Sequence, residues 1–170
     1  MKRYTDTDGS IMPWFTKPML DEMRRWDMRE WRVFEWGSGY STPWLARRCK
    51  KLVSCDHDPA WTVKVKALCQ NAGVYAHLNQ LPDVEYYCRN ALLEGGNFNL
   101  IIIDGFAAWR NACMDNTLTA LAAGGRVIVD NCERQANYDH AKQVFAGMKL
   151  TAYPEPGDEH GWTTACWEMP

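Results

Sequence analysis

Along this chain short apolar runs alternate with longer stretches in which apolar positions recur every three or four residues, the two periodicities of strand and helix. Met19, Leu20, Met23 and Trp26 fall at helical spacing behind the breakers Pro13 and Pro18, which predicts a helix over 16–29 within a helical N-terminal segment, 1–30. Strand and helix then take turns. Residues 32–36, 52–55, 74–78, 100–103 and 126–129 read as strands, and 43–49, 59–71, 110–122 and 138–147 as helices. The pair Gly124-Gly125 reads as the stop of the helix before it. NLIIIDG carries the strongest buried-strand pattern of the chain. Two final runs, 150–153 and 163–167, flank the turn-rich PEPGDEHG and predict a hairpin.

This order implies an α/β fold, doubly wound, with a mostly parallel sheet, helices on both faces and right-handed crossovers. Ligands of such sheets bind beyond the carboxyl ends of the strands. Here those ends carry 35–42 (EWGSGYST), Asp56-His57-Asp58, Asp104-Gly105 and Asp130-Asn131. Acidic residues thus stand at four strand ends, and this clustering is the main functional signal.

Composition narrows the picture. With 46% hydrophobic and 24% charged residues the chain reads as a soluble globular protein, and without repeats or linkers it reads as a single domain over 1–170. A net charge of -2 argues against a protein that grips phosphate backbones, so no nucleic-acid partner is expected. The basic runs Arg24-Arg25, Arg47-Arg48 and Lys50-Lys51 read as solvated helix faces. Seven widely spaced cysteines without a CxxC pair speak against structural zinc and for free buried thiols in a reducing compartment. The opening MKRYTDTDGS has no apolar core of signal-peptide length and no run approaches a membrane span. A cytoplasmic protein without a membrane partner is expected.

The turn after the first strand bounds the ligand. A dinucleotide fold needs G-x-G-x-x-G, but the third position here is Thr42, a natural N-cap, followed by Pro43, a natural first helical residue. Gly37 and Gly39 permit close backbone approach to a ligand. Glu35 before the turn would repel a pyrophosphate and suits a ligand with positive charge. Asp56, 17 residues after Gly39, stands where an acid can accept both ribose hydroxyls. Asp58 before Pro59 reads as an N-cap. His57 and Trp61 could flank an adenine ring or serve as ordinary packing.

The motifs EWGSGYST, LVSCDHDPAW, LIIIDG and GGRVIVDN together resemble the class I S-adenosylmethionine-dependent methyltransferases, in particular small bacterial and phage members often encoded near glycan or secondary-metabolite genes. The resemblance runs from Pro13-Trp14 to the closing WTTACW. It implies a Rossmann-like sheet of seven strands whose last strand, in the C-terminal hairpin, runs antiparallel. It also implies S-adenosylmethionine as cofactor, with Glu35, Gly37 and Gly39 at its methionine end and Asp56 at its ribose. Ser38, Ser41, His57 and Asp104 complete the expected cofactor set.

Asp104 and Asp130 end strands expected to be neighbours, and two such carboxylates stay ionised only with a cation between them. With Asn131 they make a hard-oxygen set suited to Mg²⁺, similar to metal-dependent catechol- and caffeoyl-CoA-type O-methyltransferases. These three are the candidate catalytic and metal-binding residues. The Lys those enzymes carry three residues after the first Asp is Ala107 here. The alternative to a metal is that Asp104 orients cofactor or substrate while Asp130-Asn131 lines the acceptor pocket. Arg110 and Arg134 read either as anchors for an anionic substrate or as helix surface charge. Trp14, Trp109 and Trp162 are candidates for the acceptor wall. Motifs for a covalent cytosine mechanism or for amino methylation are absent, which favours oxygen on a small molecule or glycan. The competing reading is a non-catalytic cofactor-binding or interaction domain of the same fold.

Overall fold

A computed structural model describes Thr5, Asp6, Gly9 and residues 11–170. Most of MKRYTDTDGS, and with it the reading of that stretch as lacking a leader, lies outside the described residues. Seven strands form one sheet in the order β3-β2-β1-β4-β5-β7-β6. They are β1 (Arg32–Trp36), β2 (Lys51–Asp56), β3 (His77–Gln80), β4 (Phe98–Ile103), β5 (Leu121–Val129), β6 (Lys149–Pro154) and β7 (Thr163–Glu168). The first five pair in parallel. β7 is antiparallel to both of its neighbours, β5 and β6, as expected of the hairpin strand.

Alternation along the strands builds a core on each face. Phe34, Trp36, Ile101, Ile103, Val127 and Val129 point one way. There they meet α4 (Val84–Leu93), α5 (Arg110–Asp115) and α7 (Gln135–Val144) through Tyr87, Ala91, Met114 and Ala141. Val33, Leu100, Ile102 and Ile128 point the other way, against α1 (Lys17–Met23) and α2 (Ser41–Ala46) through Met19, Leu20, Trp44 and Leu45. Each fully buried side chain of this size contributes about 1.5–3 kcal/mol. α3 (Pro59–Asn71) starts as the sequence indicates: the Asp58 side chain caps it by accepting the Ala60 and Trp61 amides.

Several elements depart from their expected bounds. α1 stops at Met23, because Trp26 closes a tight turn onto the Met23 carbonyl and lays its ring 5.8 Å from Trp31. The helix over 43–49 begins two residues earlier, at Ser41, so Thr42 lies within it and is not its N-cap. The helix expected over 110–122 breaks at Asn116 into α5 and a short α6 (Thr117–Ala120). Leu121 already pairs with Phe98. Gly124-Gly125 therefore ends no helix; Gly124 adopts φ +67 inside β5, where the pairing with β4 shifts register. The third strand lies three residues later than predicted. α4, unassigned from sequence, is capped by Asp83, which accepts the Glu85 and Tyr86 amides. Among the described residues no helix is long and apolar enough to cross a membrane.

Candidate functional site

The carboxyl ends of β1, β2, β4 and β5 come together, and the four acids with them. Gly37 turns the chain at φ +92, and a Cβ there would sit 2.5 Å from the Gly105 backbone. The loops after β1 and β4 thus touch through glycine backbone. The Gly37 and Ser38 amides donate to the Cys55 carbonyl at 2.9 and 3.2 Å, and the Gly39 amide donates to Thr42 Oγ1 at 2.8 Å. None of these three is free to cradle a phosphate. Trp61, read as an adenine flank or packing, clamps this loop: its Nε1 donates to the Ser38 carbonyl at 2.5 Å.

Glu35 organises the loop from below. It is fully buried and accepts hydrogen bonds from Ser41, from Thr42 Oγ1 (2.6 Å) and from Ser54 Oγ (2.7 Å). Burial raises its pKa, and the three hydroxyls pull it back. Its carboxylate, expected at the methionine end of a cofactor, faces hydroxyls of its own neighbourhood and lines neither cavity described below.

Two cavities open at the strand ends. The smaller, about 490 Å³, is lined by the glycine loop, Asp56, His57, Trp61, Asp104 and Phe106. Asp56 is buried and accepts the Asp58 amide at 2.9 Å. Its pKa is raised by burial, against the pull of that bond. Two polar atoms of this cavity's lining residues lack hydrogen-bond partners, Ser38 Oγ and His57 Nδ1, the latter 3.2 Å from Asp56 Oδ1 without hydrogen-bond geometry. The His57 ring lies 5.0 Å from Phe106. Trp109 lines neither cavity; it stands behind this wall, 5.3 Å from Tyr87 and 5.4 Å from His57, which corrects its assignment to the acceptor side.

The larger cavity, about 1090 Å³, has Asp104, Asp130 and Asn131 at its inner end. Its walls come from the N-terminal segment, with Trp14 and Phe15, and from the β6–β7 connection, with Glu155 and Trp162. The two cavities share Trp14, Tyr40, Asp104 and Asn131. Asp130 is buried and accepts from Thr164 and from Trp162 Nε1 (3.2 Å). Burial raises the pKa of both Asp104 and Asp130, and in Asp104 the neighbouring Asp130 charge adds to the rise.

Between the two acids lies Arg110, neither a surface charge nor an open anion anchor. It is 3% exposed and donates to the Gly105 carbonyl (2.9 Å), the Asp130 carbonyl (2.5 Å), Asp104 Oδ1 (3.0 Å) and Asn131 Oδ1 (3.2 Å). Two of the three expected Mg²⁺ ligands, Asp104 and Asn131, thus meet a guanidinium instead. Asp104 and Asn131 already share a guanidinium, and a divalent ion about 4 Å from it would meet a repulsion on the order of 8 kcal/mol at an effective dielectric of 20. Among the described residues no three His, Cys, Asp or Glu side chains converge on a point that could hold an ion. Arg134 is exposed at the rim of the smaller cavity.

The architecture has close parallels among solved structures. The O-methyltransferase TomG from Streptomyces achromogenes, in complex with S-adenosylmethionine, superposes with a TM-score of 0.69 at 19% identity, over 89% of this chain and 77% of that one. An O-methyltransferase from Bacillus cereus in complex with S-adenosylhomocysteine gives 0.70 at 18% identity, over 82% and 74%. An rRNA methylase from Streptococcus thermophilus gives 0.70 at 14% identity, over 92% and 99%. The fold is that of the class I methyltransferases. Neither a family profile nor a curated relative matches the sequence. Within the methyltransferase fold, the glycine turn, Asp56 and the Asp104 and Asp130 strand ends were all legible in the sequence. Arg110 as the hub between them was not, because its acceptors are two backbone carbonyls and two side chains brought together only by the β4–β5 pairing. Thr164 and Trp162 were missed as partners of Asp130 because they arrive on and beside the antiparallel strand, 34 and 32 residues away.

Proposed function

We propose that this protein transfers a methyl group from S-adenosylmethionine to a hydroxyl oxygen of a small molecule or sugar. The observation that carries the reading is the junction of the two cavities at Asp104 and Asn131, which would let a donor in the smaller meet an acceptor in the larger. A loop whose Gly37, Ser38 and Gly39 amides are all engaged favours a sulfonium ligand over a pyrophosphate. When bound, S-adenosylmethionine supplies an electrophilic methyl group and departs as a neutral thioether.

In this reading Asp56 accepts the ribose hydroxyls, Ser38 and His57 offer their unpartnered atoms, and Gly39 leaves room for the ligand's approach. Glu35 and Ser41 act by holding the loop. Asp104 and Asn131, fixed by Arg110, stand at the point of transfer and orient the acceptor. Asp130 takes the acceptor's proton as the oxygen attacks the methyl carbon in line, and alignment supplies much of the rate. Its raised pKa makes it a better base than an ordinary carboxylate. Ala107 leaves no lysine for that role.

S-adenosylhomocysteine at about 100 times its Kd should raise Tm by roughly 5–10 °C, and Asp56→Ala should remove the shift. The absence of any shift with either cofactor form at millimolar concentration would sink the proposal. Turnover across a panel of hydroxylated acceptors separates an enzyme from a non-catalytic domain.

A further inference from the structure

The trio Asp104, Asp130 and Asn131 has the composition of a divalent-ion site, yet its geometry is organised around an arginine. Arg110 opens α5, where the positive end of a helix disfavours a cation, so its position must come from its acceptors. There are four, from two separate strand ends: Gly105 O and Asp104 Oδ1 after β4, and Asp130 O and Asn131 Oδ1 after β5. Asn131 adopts φ +56, a left-handed conformation that few residues with a side chain accept. It is this turn that delivers both the Asp130 carbonyl and the Asn131 amide oxygen to one guanidinium. The remaining Asp130 carboxylate is held by neutral donors, Thr164 and Trp162. Asp104 Oδ1, Asn131 Oδ1 and the Asp130 carboxylate thus each have a partner that belongs to the chain.

We infer that Arg110 is the built-in cation of this site, a positioning residue that stands in place of a divalent ion: it neutralises Asp104, orients Asn131 and joins the β4 and β5 loops. A guanidinium suits this role because it never loses its charge and its planar fork reaches several oxygens at once. On the methyl-transfer reading above, on which this clause rests, the protein then acts without a metal ion.

Mn²⁺ binding to the full chain, followed by water-proton relaxation with and without S-adenosylhomocysteine, tests the assignment. The wild-type protein should take up no Mn²⁺ up to about 1 mM. Removing the cation should open the site: Arg110→Ala and Arg110→Gln should gain Mn²⁺ affinity of at least about tenfold over wild type, and Arg110→Lys should not. Adding Asp104→Asn to Arg110→Ala should abolish the gain. A residue with a merely structural role would produce no such gain. Submillimolar Mn²⁺ binding by wild type that Asp104→Asn or Asp130→Ala removes would overturn the inference, and so would folded Arg110 variants that gain nothing. If neither Arg110 variant folds, the wild-type titration decides alone. Failure of S-adenosylhomocysteine to bind would count against the methyltransferase reading and leave the Mn²⁺ result standing.

Discussion

A methyl group added at Gly37 would meet the Gly105 backbone at 2.5 Å and would force φ +92 on an L-residue, whereas one added at Gly39 would find nothing nearer than Ser41 Oγ at 3.9 Å. Two glycines in one turn therefore serve different ends. Gly37→Ala should lower stability by about 1–3 kcal/mol, read as a Tm drop, because backbone on both sides must yield. Gly39→Ala should leave Tm nearly unchanged and weaken S-adenosylhomocysteine binding by about tenfold in calorimetry, since its new methyl group enters the smaller cavity. Glu35 adds a pH dependence of defined sign. Its folded pKa lies above the ordinary value of 4.5, so the folded state holds its proton more tightly than the unfolded chain. The stability this contributes is fully present below 4.5 and is lost as pH rises through the folded value. Wild-type Tm should consequently fall against that of Glu35→Gln as pH is raised from about 4 to 8. Parallel Tm curves for the two proteins would contradict this.

At the level of elements, Asp6 ties the N-terminal segment to α2 and to the end of α1. Asp6 accepts from Arg24 (2.9 Å), Arg48 (3.1 Å) and Trp44 Nε1 (2.6 Å), and its own side chain is almost wholly buried. Asp6→Ala should cost about 2 kcal/mol, below the range for a fully buried pair because both arginines are partly solvated. The measured result should be a Tm drop of roughly 4–8 °C with S-adenosylhomocysteine affinity little changed, since the smaller cavity keeps its loops. Elements of this kind mark the limit of sequence reading. β1 and α3 were legible to the residue because β-branched and aromatic runs, Asp58 and Pro59 are local signals. The break at Asn116 was not, because Leu121 leaves a helical pattern only to pair with Phe98 across the sheet. Local propensity was overruled there by a strand 23 residues upstream. Asp6 escaped notice for a similar reason, since its side-chain partners Arg24, Trp44 and Arg48 lie 18 to 42 residues away.

Across the whole molecule, the seven cysteines are free, and six are buried while Cys49 is half-buried. Burial raises the thiol pKa of Cys49, Cys132 and Cys166 to about 12, so little reactive thiolate forms near neutrality. A disulfide-exchange reagent should label no more than about one thiol in the native protein at pH 7.5 and all seven after unfolding. Rapid labelling of several native thiols would show that the two-faced core is far looser than its packing indicates.

The larger cavity owes its inner end to the central strands and its walls to the two ends of the chain, the segment around Trp14 and the β6–β7 connection with Glu155 and Trp162. The smaller cavity draws nothing from that connection. Retargeting such a molecule is then a matter of exchanging two grafts, of which only the one around Trp14 also reaches the smaller cavity. Diversification among chains of this architecture should concentrate in those two stretches, while the crossing of Gly37 over Gly105 stays as a hinge pin that neither graft disturbs.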